Sequence, residues 1–283
     1  MALVDSKNRP LKFDDSPEVE NLYELGLNEG LHPELLEYAE KLKYMTRGVM
    51  IVTGMPGSGK DLWGNTMSWL IKTIFKDKKV FRDEMPRELF GYYELFDEIT
   101  VMTEFARLAD ELDDEMPREI KRSDAKAAKK IVDLSNLWMA KIGEEKLHNS
   151  VLFMTEFWRY MHNRNPFLPI GILMGKIIKR WRHLDLLIIG NAQQKRELDA
   201  ISCLPYITHE VRCSWGINNP FAGGYRLYPV KWVSSSGVLE VKGKSKRFRI
   251  DGKTPREFLG GKGYFNLFNS KSYGSSYSEI SKI

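Results

Sequence analysis

Residues 48–75 read GVMIVT (48–53), GMPGSGK (54–60) and DLWGNTMSWLIKTIF (61–75). The first piece is a short, unbroken apolar run. Such a run reads as a strand buried on both faces, as in parallel sheets. The last piece has helical apolar periodicity. Between them, Gly54 to Lys60 matches G-x-x-x-x-G-K. Loop glycines let backbone N–H groups turn inward and cradle phosphate oxygens. Lys60 would reach the β- and γ-phosphates, and the helix opening there would point its positive end at them. A strand before and a helix after are the setting this motif requires. Gly54, Met55, Pro56, Gly57, Ser58, Gly59, Lys60, Asp61 and Leu62 are therefore read as the nucleotide-binding segment, with ATP as the ligand.

The motif departs from its usual form at its last letter. Ser or Thr normally follows the lysine and ligates Mg²⁺; here Asp61 follows. A carboxylate is a good Mg²⁺ ligand and is favoured at a helix N-terminus. Phosphoryl chemistry of this kind also needs an acid on a second strand and a group that activates water. Three stretches qualify: Phe96-Asp97-Glu98, the run ending at Glu104, and VLFMTE, which ends at Glu156. The last has the longest apolar run and leaves room for a strand between it and the loop, so Glu156 is read as the general base. Thr155 stands before it, where Asp is expected. Hydroxyl and carboxylate thus look exchanged, and Asp61 with Thr155 is the expected metal pair.

Further strands are expected at 79–82, 98–102, 150–155, 184–192 and 206–211, alternating with helical stretches at 32–44 and 110–142. That alternation argues for an α/β fold with a parallel sheet. After about Trp215 the texture changes to short alternating stretches, 225–233, 238–242 and 246–250, with a hairpin turn expected at Gly243 to Ser245. The expected divisions are an arm and helix (1–44), a core (45–215) and a β-rich basic extension (216–283). The hexapeptide DEMPRE occurs at 83–88 and 114–119 with no wider repeat around it, and is read as coincidence.

Composition sets the outer bounds. With 42% hydrophobic and 29% charged residues in 283, the chain is not of the disordered class. The nearest approach to a membrane span, Phe167 to Gly190, is broken by Lys176, Lys179, Arg180, Arg182 and Asp185. Met1 to Lys12 lacks the apolar core of a signal peptide, so a cytoplasmic location is expected. Cys203 and Cys213 cannot make a four-ligand zinc site alone and read as ordinary thiols. Charge is uneven: residues 176–283 hold 19 Lys and Arg against 8 Asp and Glu, while the residues before them hold 24 against 30. A basic carboxyl-terminal part of this kind can meet an acidic polymer, and nucleic acid is the commonest.

Together, the phosphate loop, the strand ending in Glu156, and RWRHLDLLIIGNAQ (180–193) resemble the FtsK/HerA superfamily of ring-forming, DNA-pumping ATPases. Within it the chain looks similar to viral genome-packaging ATPases and Zot-like phage proteins. The resemblance implies a RecA-like P-loop core with a mostly parallel sheet flanked by helices. Gln193 would match the family's γ-phosphate sensor, with Gln194 the near alternative. A neighbour's arginine would act in trans, with Arg180, Arg182, Arg159 and Arg164 as candidates. DNA would be held by its phosphates inside a homo-oligomeric ring, and a viral capsid or portal is the implied partner. YFNLFNS (264–270) resembles the family's closing stretch. The alternatives are a phage assembly or export ATPase, a small-molecule kinase and a non-hydrolysing nucleotide switch.

Overall fold

The apolar run at 48–53 forms strand β1 (Gly48–Thr53), which lies in the middle of the sheet and is buried over its first five residues. A computed structural model describes residues 45–251 apart from 56–57, 75–76, 85–92, 113–124, 162–168, 217–218 and 237. The remaining strands are β2 (Lys79–Arg82), β3 (Glu94–Leu95), β4 (Ser150–Met154), β5 (Leu187–Ala192), β6 (His209–Gly216), β7 (Asn219–Val233), β8 (Val238–Val241) and β9 (Lys246–Asp251). The helices are α1 (Lys60–Ile74), α2 (Glu98–Asp110), α3 (Ala125–Trp138), α4 (Glu144–Leu147), α5 (Phe157–Tyr160) and α6 (Pro169–Arg180), and a π-helical turn, Met139–Gly143, joins α3 to α4.

The strands form one sheet in the order β3-β2-β4-β5-β1-β6-β7-β8, with β9 also paired to β7. Every pairing from β3 to β6 is parallel, and β7 with its partners adds an antiparallel end. The α/β class and the mostly parallel sheet flanked by helices are as expected. Side chains alternate across the sheet, so successive residues of one strand serve two different layers. Val49, Ile51, Leu152, Met154 and Ile188 enter one core with Phe105, Ile131, Trp138, Leu173 and Ile177 from α2, α3 and α6. On the opposite face α1 lies so close to β4 that a Cβ at Gly64 would sit 2.1 Å from the Phe153 ring. No helix among the described residues is long and apolar enough to cross a membrane.

Two local expectations are corrected. Residues 98–102 are helical, not extended. Asp97 caps α2 by accepting the Thr100 N–H at 2.8 Å, and the buried residues Val101, Phe105, Leu108 and Ala109 recur at helical spacing. Gly243 to Ser245 is not a hairpin turn. β8 pairs with Val230–Val233 and β9 with Ala222–Leu227 of the same strand, so β8 and β9 run in one direction along one edge of β7. Gly243, at φ +153°, breaks that edge in two, and the reversal itself falls between β7 and β8. The helix at 32–44, the second DEMPRE copy and the stretch 264–270 lie outside the described residues.

Candidate active site

In parallel α/β sheets, ligands bind beyond the carboxyl ends of the strands. At that edge β1 runs into the glycine loop and the loop into α1. Gly59 takes φ +84°, its carbonyl accepts the Trp63 N–H at 3.0 Å, and α1 begins there. A Cβ at position 59 would lie 2.8 Å from the Tyr225 hydroxyl, which donates to the same carbonyl at 3.0 Å. Tyr225 is buried on β7, with its ring 4.9 Å from that of Trp63. The antiparallel end of the sheet therefore braces the loop. Lys60 Nζ donates to the carbonyls of Gly54 (2.9 Å) and Met55 (3.2 Å). The ammonium is held over the loop, where phosphate oxygens can replace the carbonyls. Pro56 and Gly57 lie outside the described residues, and Leu62 follows on α1.

Asp61 opens α1 over β5. Its carboxylate accepts from Asn191 Nδ2 at 2.6 Å, and burial raises its pKa against the lowering effects of Asn191, Lys60 and Arg82. Asn191 Oδ1 and Ser58 Oγ are buried with no hydrogen-bond partner among the described residues. One orphaned oxygen beside a carboxylate and another in the glycine loop are polar groups that a ligand can complete.

The tip of β4 lies two strands from β1, with β5 between. Thr155 is buried and Glu156 half-buried, and Trp158 Nε1 donates to Glu156 Oε2. Thr155 is not bonded to Asp61. Its N–H (2.8 Å) and its hydroxyl (3.1 Å) both donate to Asp83 Oδ1, and the Glu156 N–H donates to Asp83 Oδ2 at 3.2 Å. Burial pushes the Asp83 carboxyl up to about 6, against the lowering effect of those bonds and of Arg82. Glu84 rises further, to about 7, because burial is joined by the charges of Asp83, Glu156 and Asp61. Asp61 and Glu156 thus both act on Glu84, so the loop and the β4 tip share one acidic corner.

Asp83, Glu84, Asn191 and Tyr225 were not singled out from the sequence. A signal for the first two was present: VFRDE (80–84) ends a strand in two acids, and those acids open the first DEMPRE copy. The rejected stretches do structural work. Asp97 is a helix cap, and Glu104 accepts from Trp138 Nε1 and Lys146 Nζ.

Gln193 directly follows β5 at the same edge and is exposed; Gln194, also exposed, caps a short turn, Lys195–Glu197. Beside them, buried Glu210 holds Lys195 (3.1 Å), Arg212 (3.0 Å) and the Thr53 hydroxyl (3.2 Å). Arg180 and Arg182 precede β5 and so lie at the opposite edge, roughly 20 Å away at about 3.3 Å per strand residue. Arg180 pairs with Glu144 at 2.5 Å, and Arg182 stacks on Trp181 at 5.1 Å. A single subunit does not bring them to Lys60. Arg159 is exposed on α5, three residues past Glu156, and Arg164 is outside the described residues.

No family model and no curated protein matches the chain. Among solved structures it is similar to the N-terminal domain of zonular occludens toxin from Neisseria meningitidis, with 15% identity over 70% of this chain and 94% of that one and a TM-score of 0.39. It is also similar to the genome packaging NTPase of Sulfolobus turreted icosahedral virus 2 in complex with ATP-gammaS (11%, 70% and 97%, TM-score 0.39). A third is the flagellar accessory protein FlaH from Methanocaldococcus jannaschii (11%, 72% and 85%, TM-score 0.38). The strand order and the loop geometry, not these likenesses, define the fold.

Proposed function

We propose that the chain is an ATPase that couples ATP hydrolysis to DNA translocation through a homo-oligomeric ring, as a viral genome-packaging motor does. The observation that supports it best is the shared corner: a glycine loop with its lysine after β1 and an acid-bearing tip after β4, separated by one strand. In this reading Lys60 leaves the Gly54 and Met55 carbonyls for the β- and γ-phosphates, while the α1 N-terminus faces the same charge. Glu156 takes a proton from the attacking water, and the Trp158 indole N–H keeps its carboxylate in place. Gln193, between loop and tip, senses the γ-phosphate.

The donor set fits Mg²⁺. Asp61 and Thr155 offer hard oxygen ligands, and the orphaned Asn191 oxygen lies beside Asp61. A Mg²⁺ ion binds through one or two carboxylates plus substrate phosphates. When bound, it neutralises charge on the β- and γ-oxygens. Arg180 and Arg182, far from their own subunit's loop, are assigned to a neighbour's site. The basic carboxyl-terminal part, 176–283, is assigned to DNA phosphates.

The test is ATP turnover by the full chain with and without DNA, at several salt concentrations, together with the mass of the assembly. DNA-stimulated turnover by an oligomer, with DNA affinity falling steeply with salt, is expected. Turnover indifferent to DNA would leave an ATPase and remove the translocase.

A further inference from the structure

Thr155 stands at the tip of β4 where an Asp is expected before Glu156, and the strand beside it carries a carboxylate that reaches the same point. We propose that Asp83 is the positioning residue that sets the β4 tip and, through it, Glu156. This rests on the reading of Glu156 as the base.

β2 pairs with β4 in parallel, ending with Arg82 opposite Phe153, and the Asp83 N–H extends the ladder by one bond to the Phe153 carbonyl at 3.3 Å. Asp83, 5% exposed, then turns its side chain across to β4. Its two oxygens accept three hydrogen bonds: the N–H and hydroxyl of Thr155 and the N–H of Glu156. Those two N–H groups lie just past the last parallel ladder contact of β4. Without Asp83 they would lose the acceptor that the structure gives them, at the turn from which the Glu156 side chain leaves. A buried donor left without an acceptor is costly, so the tip would move to find one.

The same corner reaches the phosphate loop. Arg82, fully buried, donates to the Asn65 side-chain oxygen on α1, and Asn65 Nδ2 donates to the Asp61 carbonyl at 2.7 Å. Asp83 therefore sits where β4 and the start of α1 are tied together. Asp83 thus sets a carboxylate one strand across from position 155, hydrogen-bonded to Thr155.

The test compares the full-length wild type, Asp83→Asn, and Asp83→Asn combined with Thr155→Asp, by ATP turnover and by affinity for a fluorescent ATP analogue. An amide at 83 sets a donor against the donors of the tip. Turnover by Asp83→Asn should fall about 100-fold, as expected of a misplaced catalytic group. Affinity should stay within about threefold, since Asp83 bonds to the β4 tip and not to the loop residues that would hold the phosphates. The double variant returns a carboxylate to the tip, facing an amide, and should recover about tenfold of the lost turnover. Turnover of Asp83→Asn within about threefold of wild type overturns the proposal. So does a parallel loss of turnover and affinity with no recovery in the double variant, which would mark a structural clamp only. If the single variant does not fold, the double variant decides. Folded and active, it supports the proposal; folded, nucleotide-binding and inactive, it overturns it. A wild type that does not hydrolyse ATP sinks the assignment of Glu156 itself, an outcome distinct from an active wild type that tolerates Asp83→Asn.

Discussion

Gly59 is held by two demands at once: a φ of +84° and a tyrosine hydroxyl where a Cβ would go. Gly59→Ala should destabilise the chain by about 1–3 kcal/mol, the range for a non-glycine residue in a sparsely populated backbone region. Chemical denaturation would measure it, and an unchanged midpoint would contradict the packing of Tyr225 on the loop. Tyr225→Phe removes only the bond to the Gly59 carbonyl and should cost about 0.5–1.5 kcal/mol. Lys60 and Glu156 were singled out from the sequence because local residues mark both places, a glycine loop after β1 for one and the tip of β4 for the other. Asp83 was not, because its partners lie 72 and 73 residues away and only the pairing of β2 with β4 brings them together. Asn191 was hidden for the same reason: it meets Asp61 130 residues earlier in the chain.

At the scale of elements, long apolar runs were reliable and short ones were not. β1 and β4 appear where expected because unbroken apolar runs suit strands with both faces covered. The five residues at 98–102 misled because so short a window cannot separate alternation from helical spacing. The cap at Asp97 decides it, and Asp97→Ala should cost about 1 kcal/mol. Helix α2 also anchors α3. Trp138 is fully buried, meets Phe96 edge-on at 6.1 Å and donates to Glu104. Trp138→Ala should therefore cost about 3–5 kcal/mol in urea unfolding, and a loss under about 1 kcal/mol would contradict this core. The hairpin misplaced at Gly243 has a different cause. Glycine marks a turn and a broken edge alike, and only the register on β7 distinguishes them.

For the whole molecule, the chemistry of the two thiols follows from packing. Burial raises the pKa of Cys203, and pushes Cys213 up to about 12 beside the phosphate loop. The thiolate is the reactive form, so a raised pKa keeps both thiols protonated at pH 8. Labelling by a thiol reagent should be slow in the folded chain, quicken as pH rises toward those pKa values, and become fast on unfolding. Rapid labelling of Cys213 at pH 8 in the folded chain would contradict the arrangement of β6, β7 and the loop, and rapid labelling of Cys203 would contradict its burial in the core. The central claim concerns the corner where loop and β4 tip meet, and its most direct test is Glu156→Gln measured for both ATP binding and ATP turnover. If Glu156 activates water there, the variant binds ATP as wild type does while turnover falls about 100-fold or more. Equal turnover in the two proteins, or a wild type that does not bind ATP, would contradict it.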